Sequence, residues 1–204
     1  LSKLMAYPFE RLNNLLAPLT PNSNATPISL SIGEPKHHPP DFALEILSDQ
    51  EKMRALLATY PSTKGTPKLR QSISTWLKSR FSLEVDYETE ILPVNGTREA
   101  LFSFAQAVIS DKTNPIVIMP NPFYQIYEGA ALLAGASTFF CSSFETNNYL
   151  QDFESIPSET WRNTELIYIC SPANPTGKSL SDGQIEKLID LAHQYDFTIA
   201  SDEC

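Results

Sequence analysis

Cysteine and histidine are scarce in this sequence, and their spacing argues against disulfide and metal chemistry. There are three cysteines, with no CxxC pair among them: Cys141, Cys170 and Cys204. An odd number of cysteines without that spacing indicates neither a disulfide framework nor a zinc site, so we expect buried structural thiols. The three histidines form no HxH or HxxxH pair. The sequence therefore predicts no metal site.

Long apolar runs and clusters of positive charge are also missing. No stretch approaches ~20 uninterrupted apolar residues, and the first residues, LSKLMAYPFERL, lack the basic-then-apolar order of a signal peptide. The formal net charge is −9, and no run of Lys or Arg offers the clustered cations that bind nucleic acid. We therefore expect a cytoplasmic protein with small-molecule partners, and no binding to membranes or nucleic acid.

Proline is plentiful, with 16 residues, and many of them precede residue 45. Prolines remove backbone donors and fix φ, so the segment APLTPNSNATPISLSIGEPKHHPPDF is predicted to be an extended arm with one short strand at Pro27 to Ile32. The chain as a whole has 204 residues, of which 42% are hydrophobic, enough to bury a sizeable core. We divide it into 1–45, the arm, and 46–204, a larger globular part.

Beyond residue 45, helical patterns alternate with short apolar runs. Apolar residues recur at helical spacing around Leu69, Leu101 and Ile185, and between these helices lie the runs PIVIMP, STFFC, ELIYIC and FTIAS. Apolar runs without alternation, separated by helices, are typical of a parallel sheet covered on both faces. The sequence therefore predicts an α/β fold: three α/β/α layers with a mainly parallel sheet.

Polar, turn-rich segments follow three of the predicted strands. SPANPTG follows ELIYIC, PNPFY follows PIVIMP, and Asp202 follows FTIA. In open α/β sheets, ligands bind at the carboxyl ends of the strands, so these segments are expected to face one crevice. A fourth segment, NGTREA, leads into a helix, where Gly96, Thr97 and Arg98 would form an anion site suited to phosphate. The alternative for this segment is an ordinary helix N-cap.

Taken together, these groups match what pyridoxal phosphate requires. Asp202 would stabilise a protonated ring nitrogen, Asn174 would donate to the phenolic oxygen, and Tyr124 would cover the ring face. Each also has a purely structural interpretation: Asn174 lies in a good turn sequence, Tyr124 would pack, and Asp202 would cap a helix. The order of the groups along the chain favours the cofactor.

That order resembles the fold-type I aminotransferases of class I and II along nearly the whole chain. The matching segments are SIGEP, ATYPSTKGTPKLR, NGTREA, PNPFY, NPTG and SDEC. Within the family, YPFERLNNLLA, LSIGEPKHHPPDF, LPVNGTREALFSFAQAV and PNPFYQIYEGAALLAGA resemble the N-succinyldiaminopimelate aminotransferase branch of bacterial lysine and diaminopimelate synthesis. The resemblance implies that 46–204 is the N-terminal part of a large domain that binds pyridoxal 5′-phosphate, and that 1–45 adds part of a small domain.

The resemblance also implies a role for each matching residue. The residues implied to bind the cofactor are Gly96, Thr97, Arg98, Tyr124, Asn174 and Asp202. Tyr60 would reach the phosphate of the other subunit, which implies a homodimer. Gly33 would lie beside the substrate carboxylate, and Asn174 would also contact the substrate.

The catalytic lysine of the family is not recognisable here. Lys64 and Lys178 do not lie in its usual serine-rich setting. In the family this Schiff-base lysine follows the strand that carries the aspartate, so we expect it beyond Cys204. We therefore expect the N-terminal portion of a longer enzyme, catalysing no turnover by itself.

The implied reaction of the complete protein moves an amino group between glutamate and N-succinyl-2-amino-6-oxopimelate. Spacing does not select the cations that would read this substrate from Arg11, Arg70 and Lys36. Another class I or II aminotransferase or a β-lyase would share the cofactor residues, and a non-catalytic pyridoxal phosphate-binding module would share the fold. A nicotinamide-binding fold is disfavoured because no GxGxxG follows an apolar run.

Overall fold

The computed structural model describes residues 4, 7–20, 24, 26, 28, 30 and 32–203. Two compact units divide the chain, one from Tyr7 to Pro93 and the other containing everything from Val94 onward. The strand predicted at Pro27 to Ile32 lies outside the described residues, since only alternate positions there are described.

A four-stranded parallel sheet forms the centre of the unit that begins at Val94. Its strands are β1 (Ile116–Asn121), β2 (Ser137–Ser142), β3 (Thr164–Cys170) and β4 (Thr198–Asp202). They lie in the order β2-β1-β3-β4, and every pairing is parallel. All seven residues of β3 are buried, which explains why its sequence is apolar without alternation. The four predicted strands and their parallel arrangement are confirmed.

Helices cover both faces of this sheet. They are α5 (Thr97–Val108), α6 (Gln125–Leu133), α7 (Ser158–Asn163) and α8 (Asp182–Tyr195). Successive strand side chains point to opposite faces. Leu166 and Tyr168 of β3 accordingly join a core with residues of α5 and α6, whereas Ile167 joins a second core with residues of α7 and α8. The predicted α/β/α layering is thereby confirmed.

Two helix ends in this unit follow directly from the sequence. Ser181 begins α8 with a capping box, in which its side chain accepts from the Gln184 N–H and the Gln184 side chain accepts from the Ser181 N–H. The same helix ends at Tyr195, and its C-cap, Asp196, has a left-handed φ of 57°. α6 begins after Tyr124, which brings that aromatic to the end of the β1 segment.

The described residues of the unit from Tyr7 to Pro93 form four helices: α1 (Pro8–Leu16), α2 (Asp41–Ser48), α3 (Gln50–Leu56) and α4 (Pro67–Phe81). α1 precedes the segment predicted to be extended, residues 17–42, and α2 begins within the last two residues of that segment, so the N-terminal region also contains helix. The reason is local: Pro8 occupies the first helical turn, where its missing N–H is not needed, and Glu10 complements the helix dipole there.

The two cysteines within the described residues, Cys141 and Cys170, are buried, as the sequence predicts. Burial raises the pKa of the Cys141 thiol to about 11. Cys204 is outside the described residues.

Within the described part of the chain, no helix combines the length and apolar character needed to cross a membrane.

Candidate functional site

The carboxyl ends of β3 and β4 lie side by side and carry two of the segments selected from the sequence. Cys170, the last residue of β3, is the register partner of Asp202, the last residue of β4. The N–H of Ser171 donates to the carbonyl oxygen of Asp202 over 3.2 Å. The SPANPTG loop therefore begins directly beside Asp202.

Asp202 is tied to α6 through a residue that the sequence analysis did not select. The hydroxyl of Tyr127 donates to Oδ2 of Asp202 over 2.5 Å, and Tyr127 is 0% exposed. Burial raises the pKa of Tyr127 far above its ordinary value, and the neighbouring Asp202 carboxylate raises it further. The phenol therefore keeps its proton at neutral pH and serves as a hydrogen-bond donor to the carboxylate.

Arg98 and Tyr124 form a second pair in the same unit. Nε of Arg98 donates to the Tyr124 hydroxyl over 2.7 Å, and Cζ of Arg98 lies 5.9 Å from the centre of the Tyr124 ring. The Tyr124 ring in turn meets the Tyr127 ring edge to face, with centres 5.8 Å apart and planes at 87°. A guanidinium, an aromatic face and a carboxylate are thus connected through Tyr127.

Gly96 is the N-cap of α5, the helix whose first two residues are Thr97 and Arg98. Its φ of 122° is strained for any residue with a Cβ, and a Cβ placed there would meet Oε2 of Glu99 at 3.1 Å. A glycine offers no side-chain acceptor to the first N–H groups of the helix. This is the arrangement that helix N-termini present to bound anions.

Asn174 lies at the exposed tip of the SPANPTG loop. The loop is closed by two short backbone bonds of 2.7 Å, from Ala173 N–H to Lys178 carbonyl and from Gly177 N–H to Ala173 carbonyl. Gly177 has a φ of 70°, so this closure uses the left-handed region that glycine adopts readily. The peptide bonds before Pro122, Pro172 and Pro175 are cis.

Tyr60 and Gly33 belong to the other unit. Tyr60 is 99% exposed. Gly33 is exposed as well, and a Cβ added to it would meet none of the described residues around it within 4 Å. The loop after Tyr60 is held by Arg70, which is 4% exposed. Arg70 donates to the carbonyls of Lys64 and Gly65, each over 3.1 Å.

Arg70 is thereby removed from the candidates for reading the substrate. Its Nε donates to the Tyr87 carbonyl and its Nη2 to Oε2 of Glu88, each over 2.9 Å. A buried guanidinium whose bonds run to its own unit is a structural group, whereas spacing in the sequence left this choice open.

The structure therefore brings Arg98, Tyr124 and Asp202 into one connected group, whereas Tyr60 and Gly33 lie in the separate unit. Tyr127 is the residue that sequence reasoning missed. The signal that could have found it was its position three residues after Tyr124 at the start of a helix, since residues spaced by three lie on the same helix face.

These groups fit pyridoxal phosphate by their chemistry. A carboxylate that accepts a hydrogen bond from a neutral hydroxyl can pair with a cationic ring nitrogen, and an aromatic side chain can stack on the ring face. The start of a helix capped by glycine, with an arginine beside it, can bind a phosphate. The connection from Arg98 through Tyr124 and Tyr127 to Asp202 provides a cationic group at one end and an anionic group at the other. In the cofactor, the phosphate is anionic and the pyridinium is cationic, so the phosphate can pair with Arg98 and the pyridinium with Asp202.

Known proteins are similar to this chain in sequence and in fold. The profile of the family described as "Aminotransferase class I and II" matches residues 25–204. An LL-diaminopimelate aminotransferase of Syntrophobacter fumaroxidans is 31% identical over 202 residues, which are 99% of this chain and 51% of that protein. A second, from Desulforudis audaxviator, is 30% identical over 98% of this chain and 50% of that protein. The chain thus spans about half the length of the curated relatives it matches.

Solved structures agree with the fold. A crystal structure of an aminotransferase from Neisseria meningitidis has a TM-score of 0.90 and 42% identity, covering 100% of this chain and 51% of that one. The aminotransferase AspB of Helicobacter pylori has a TM-score of 0.87 and 34% identity, covering 98% of this chain and 51% of that one.

The fold and the family match place this chain among the fold-type I transferases, which depend on pyridoxal phosphate. Within that class, the chain belongs to the class I and II aminotransferases, and the cofactor of this family is pyridoxal 5′-phosphate.

Proposed function

We propose that the complete protein is an aminotransferase that holds pyridoxal phosphate at the carboxyl edge of the β2-β1-β3-β4 sheet. One observation carries this proposal: Asp202, held by the buried Tyr127 hydroxyl at 2.5 Å, ends the strand next to the SPANPTG loop. A carboxylate in that position has the charge needed to stabilise a cationic ring nitrogen.

Each site residue then has a specific task. Gly96, Thr97 and Arg98 bind the phosphate through the start of α5 and its cation, and Tyr124 covers the ring face. Asn174 donates to the phenolic oxygen of the cofactor and contacts the substrate. Asp202 keeps the ring nitrogen protonated.

The bound cofactor supplies an electron sink for the carbanion formed at the substrate carbon. Asp202 would contribute electrostatically, because its negative charge would keep the ring nitrogen protonated, and a protonated ring is the better electron sink. Tyr124 and the SPANPTG loop orient the reacting groups, which reduces the entropy lost on reaching the transition state.

We further propose that the protein acts as a homodimer. The 99% exposure of Tyr60, on a loop anchored by buried Arg70, supports a role in which Tyr60 reaches the phosphate bound by the other subunit. Gly33 would lie beside the substrate carboxylate. In this proposal, 1–45 forms an arm and part of a small domain, and 46–204 the N-terminal part of the large domain.

For the substrate, we propose N-succinyl-2-amino-6-oxopimelate as amino acceptor and glutamate as donor. The support is the resemblance of YPFERLNNLLA, LSIGEPKHHPPDF and the two longer segments to the succinyl-specific branch. A second candidate is LL-diaminopimelate itself, because the curated relatives at 30–33% identity carry that name. The two compounds differ at both ends: the reacting carbon carries an oxo group in one and an ammonium group in the other, and the distal nitrogen is a succinyl amide with an added carboxylate in one and a free ammonium group in the other.

A substrate panel tests this proposal on the full-length protein loaded with pyridoxal phosphate. We expect formation of 2-oxoglutarate to be coupled to amination of N-succinyl-2-amino-6-oxopimelate. The kcat/KM for this compound should be at least about tenfold above that for the same oxo acid without the succinyl group. The reverse ranking would select the LL-diaminopimelate activity. Elimination of a β-substituent without amino transfer would indicate a β-lyase, and cofactor binding without turnover of any substrate would indicate a binding module.

A further inference from the structure

Tyr127 is packed rigidly between other aromatic side chains. Its ring stacks on that of Tyr168, with centres 4.5 Å apart and planes at 10°, and it meets the Tyr124 ring edge to face. Tyr168 is itself fixed, because its hydroxyl donates to the Leu101 carbonyl over 2.6 Å. The Tyr127 ring therefore has a defined position and a defined direction for its O–H.

That direction points to Oδ2 of Asp202, 75 residues further along the chain. Tyr127 lies on α6 and Asp202 ends β4, so the bond joins a helix that covers the sheet to a strand end. An ionised carboxylate has acceptor positions for about four hydrogen bonds. The bond from Tyr127 is thus compatible with a further N–H donor at the same carboxylate.

We infer that Tyr127 is a positioning residue: its hydroxyl fixes the rotation of the Asp202 carboxylate, so that the carboxylate meets a cationic ring nitrogen in one orientation. The inference rests on the proposed function, in which Asp202 pairs with that nitrogen. Tyr127 acts through Asp202 and does not itself contact the cofactor in this scheme. Its effect is therefore specific to the nitrogen of the ring.

The test compares Tyr127→Phe with Tyr168→Phe in the full-length protein. Both substitutions remove one hydroxyl from a buried, stacked tyrosine, but of these two hydroxyls only that of Tyr127 donates to Asp202. Two ligands are titrated into the cofactor-free protein: pyridoxal phosphate, and the analogue in which a C–H group replaces the ring nitrogen. The readouts are the dissociation constants and, as a check on folding, the melting temperature.

We expect Tyr127→Phe to weaken the binding of pyridoxal phosphate by about tenfold, the typical effect of losing a hydrogen bond to a charged group. Its affinity for the analogue should match that of the wild type. Tyr168→Phe should lower the melting temperature without changing the affinity for one ligand more than the affinity for the other. Equal weakening of both ligands by Tyr127→Phe, or no weakening at all, would overturn the inference.

Asp202→Asn separates a failure of this inference from a failure of the proposed function. If Asp202→Asn weakens pyridoxal phosphate but not the analogue, Asp202 is the partner of the ring nitrogen, and the result for Tyr127→Phe then decides the inference alone. If Asp202→Asn affects both ligands equally, the proposed pairing fails and the inference fails with it. The double variant should bind no more weakly than Asp202→Asn, since Tyr127 acts through Asp202.

A second measurement keeps the inference testable if Tyr127→Phe does not fold. Tyrosine labelled with carbon-13 at Cζ is incorporated into the wild-type protein, and the signal that Asp202→Asn moves in the absence of ligand is assigned to Tyr127, whose hydroxyl donates to Asp202. The Tyr127 signal should move on addition of pyridoxal phosphate and not on addition of the analogue. A signal that responds to both ligands or to neither would contradict the positioning role.

Discussion

Asp202 illustrates how much of the candidate site depends on single contacts. Its carboxylate is placed by a strand end and a buried hydroxyl, and the proposed chemistry requires its negative charge. A change at this side chain should therefore affect the reaction far more than the fold.

We predict that Asp202→Ala in the full-length enzyme lowers kcat by about 10²-fold or more, because one preorganised electrostatic group is typically responsible for that much. Steady-state kinetics with saturating pyridoxal phosphate would measure it. Asp190→Ala is the control, since Asp190 is an exposed carboxylate on α8. Near-normal turnover of Asp202→Ala would refute the role assigned to Asp202.

Glu165 is a second carboxylate whose surroundings give a testable effect, here on stability. It is buried at the start of β3 and accepts from the Ser110 N–H at 2.7 Å and the Ser110 hydroxyl at 2.5 Å. Burial by itself would raise its pKa, but these bonds and the nearby Lys112 outweigh burial and lower the pKa from 4.5.

A lowered pKa in the folded state means that the ionised Glu165 contributes stability above pH 4.5 and loses that contribution as the pH falls through the folded value. We predict that Glu165→Gln lowers the free energy of unfolding by about 1–3 kcal/mol at pH 7. The difference from wild type should shrink as the pH falls below 4.5. Urea unfolding at several pH values measures this, with exposed Glu186→Gln as control, and a difference independent of pH would be the contrary result.

At the scale of elements, the strands and most helices can be predicted from apolar patterns in the sequence, whereas the side-chain contacts between these elements cannot. The runs PIVIMP and ELIYIC predicted β1 and β3 because burial on both faces leaves an uninterrupted apolar run. α1 was not predicted, because helical spacing was recognised only beyond residue 45, whereas α1 lies before the proline-rich segment and is started by Pro8.

The contact between Tyr127 and Asp202 was beyond prediction for a different reason. It joins residues 75 positions apart, and only the packing of α6 against the sheet brings them together. Patterns in the sequence report local structure and burial, so they located Asp202 at a strand end but not its hydrogen-bond partner.

The turn at Gly65 provides an element-scale prediction about stability. Gly65 has a φ of 70°, and a Cβ there would lie 2.9 Å from Cγ of Pro93. We predict that Gly65→Ala lowers the free energy of unfolding by about 1–3 kcal/mol through backbone strain and this contact.

The matched control is Gly129→Ala in α6, where a Cβ would meet none of the described residues around it within 4 Å. This change should be neutral or stabilise by up to about 1 kcal/mol, because alanine is the better helix former. Urea unfolding of both variants provides the comparison. Equal effects at the two glycines would show that the positive φ of Gly65 and its contact with Pro93 do not cause the loss of stability.

On the scale of the whole molecule, the proposed dimer links the exposure of Tyr60 to cofactor binding. We predict that the full-length protein elutes as a dimer in light-scattering chromatography. We also predict that Tyr60→Phe weakens binding of pyridoxal phosphate by about tenfold through loss of a hydrogen bond to the phosphate. Exposed Tyr149→Phe is the control. A monomer, or unchanged affinity in Tyr60→Phe, would argue against a shared site.

The 75-residue separation between Tyr127 and Asp202 also determines when the site can form on the ribosome. At about 5–20 residues per second, Asp202 is synthesised roughly 4–15 s after Tyr127. Once α6 has left the ribosome, the nascent chain can pack α5 against α6, but the phenol of Tyr127 has no carboxylate to bind until Asp202 follows. A pause in translation within this stretch would therefore present chaperones with a partly formed core that has no functional centre.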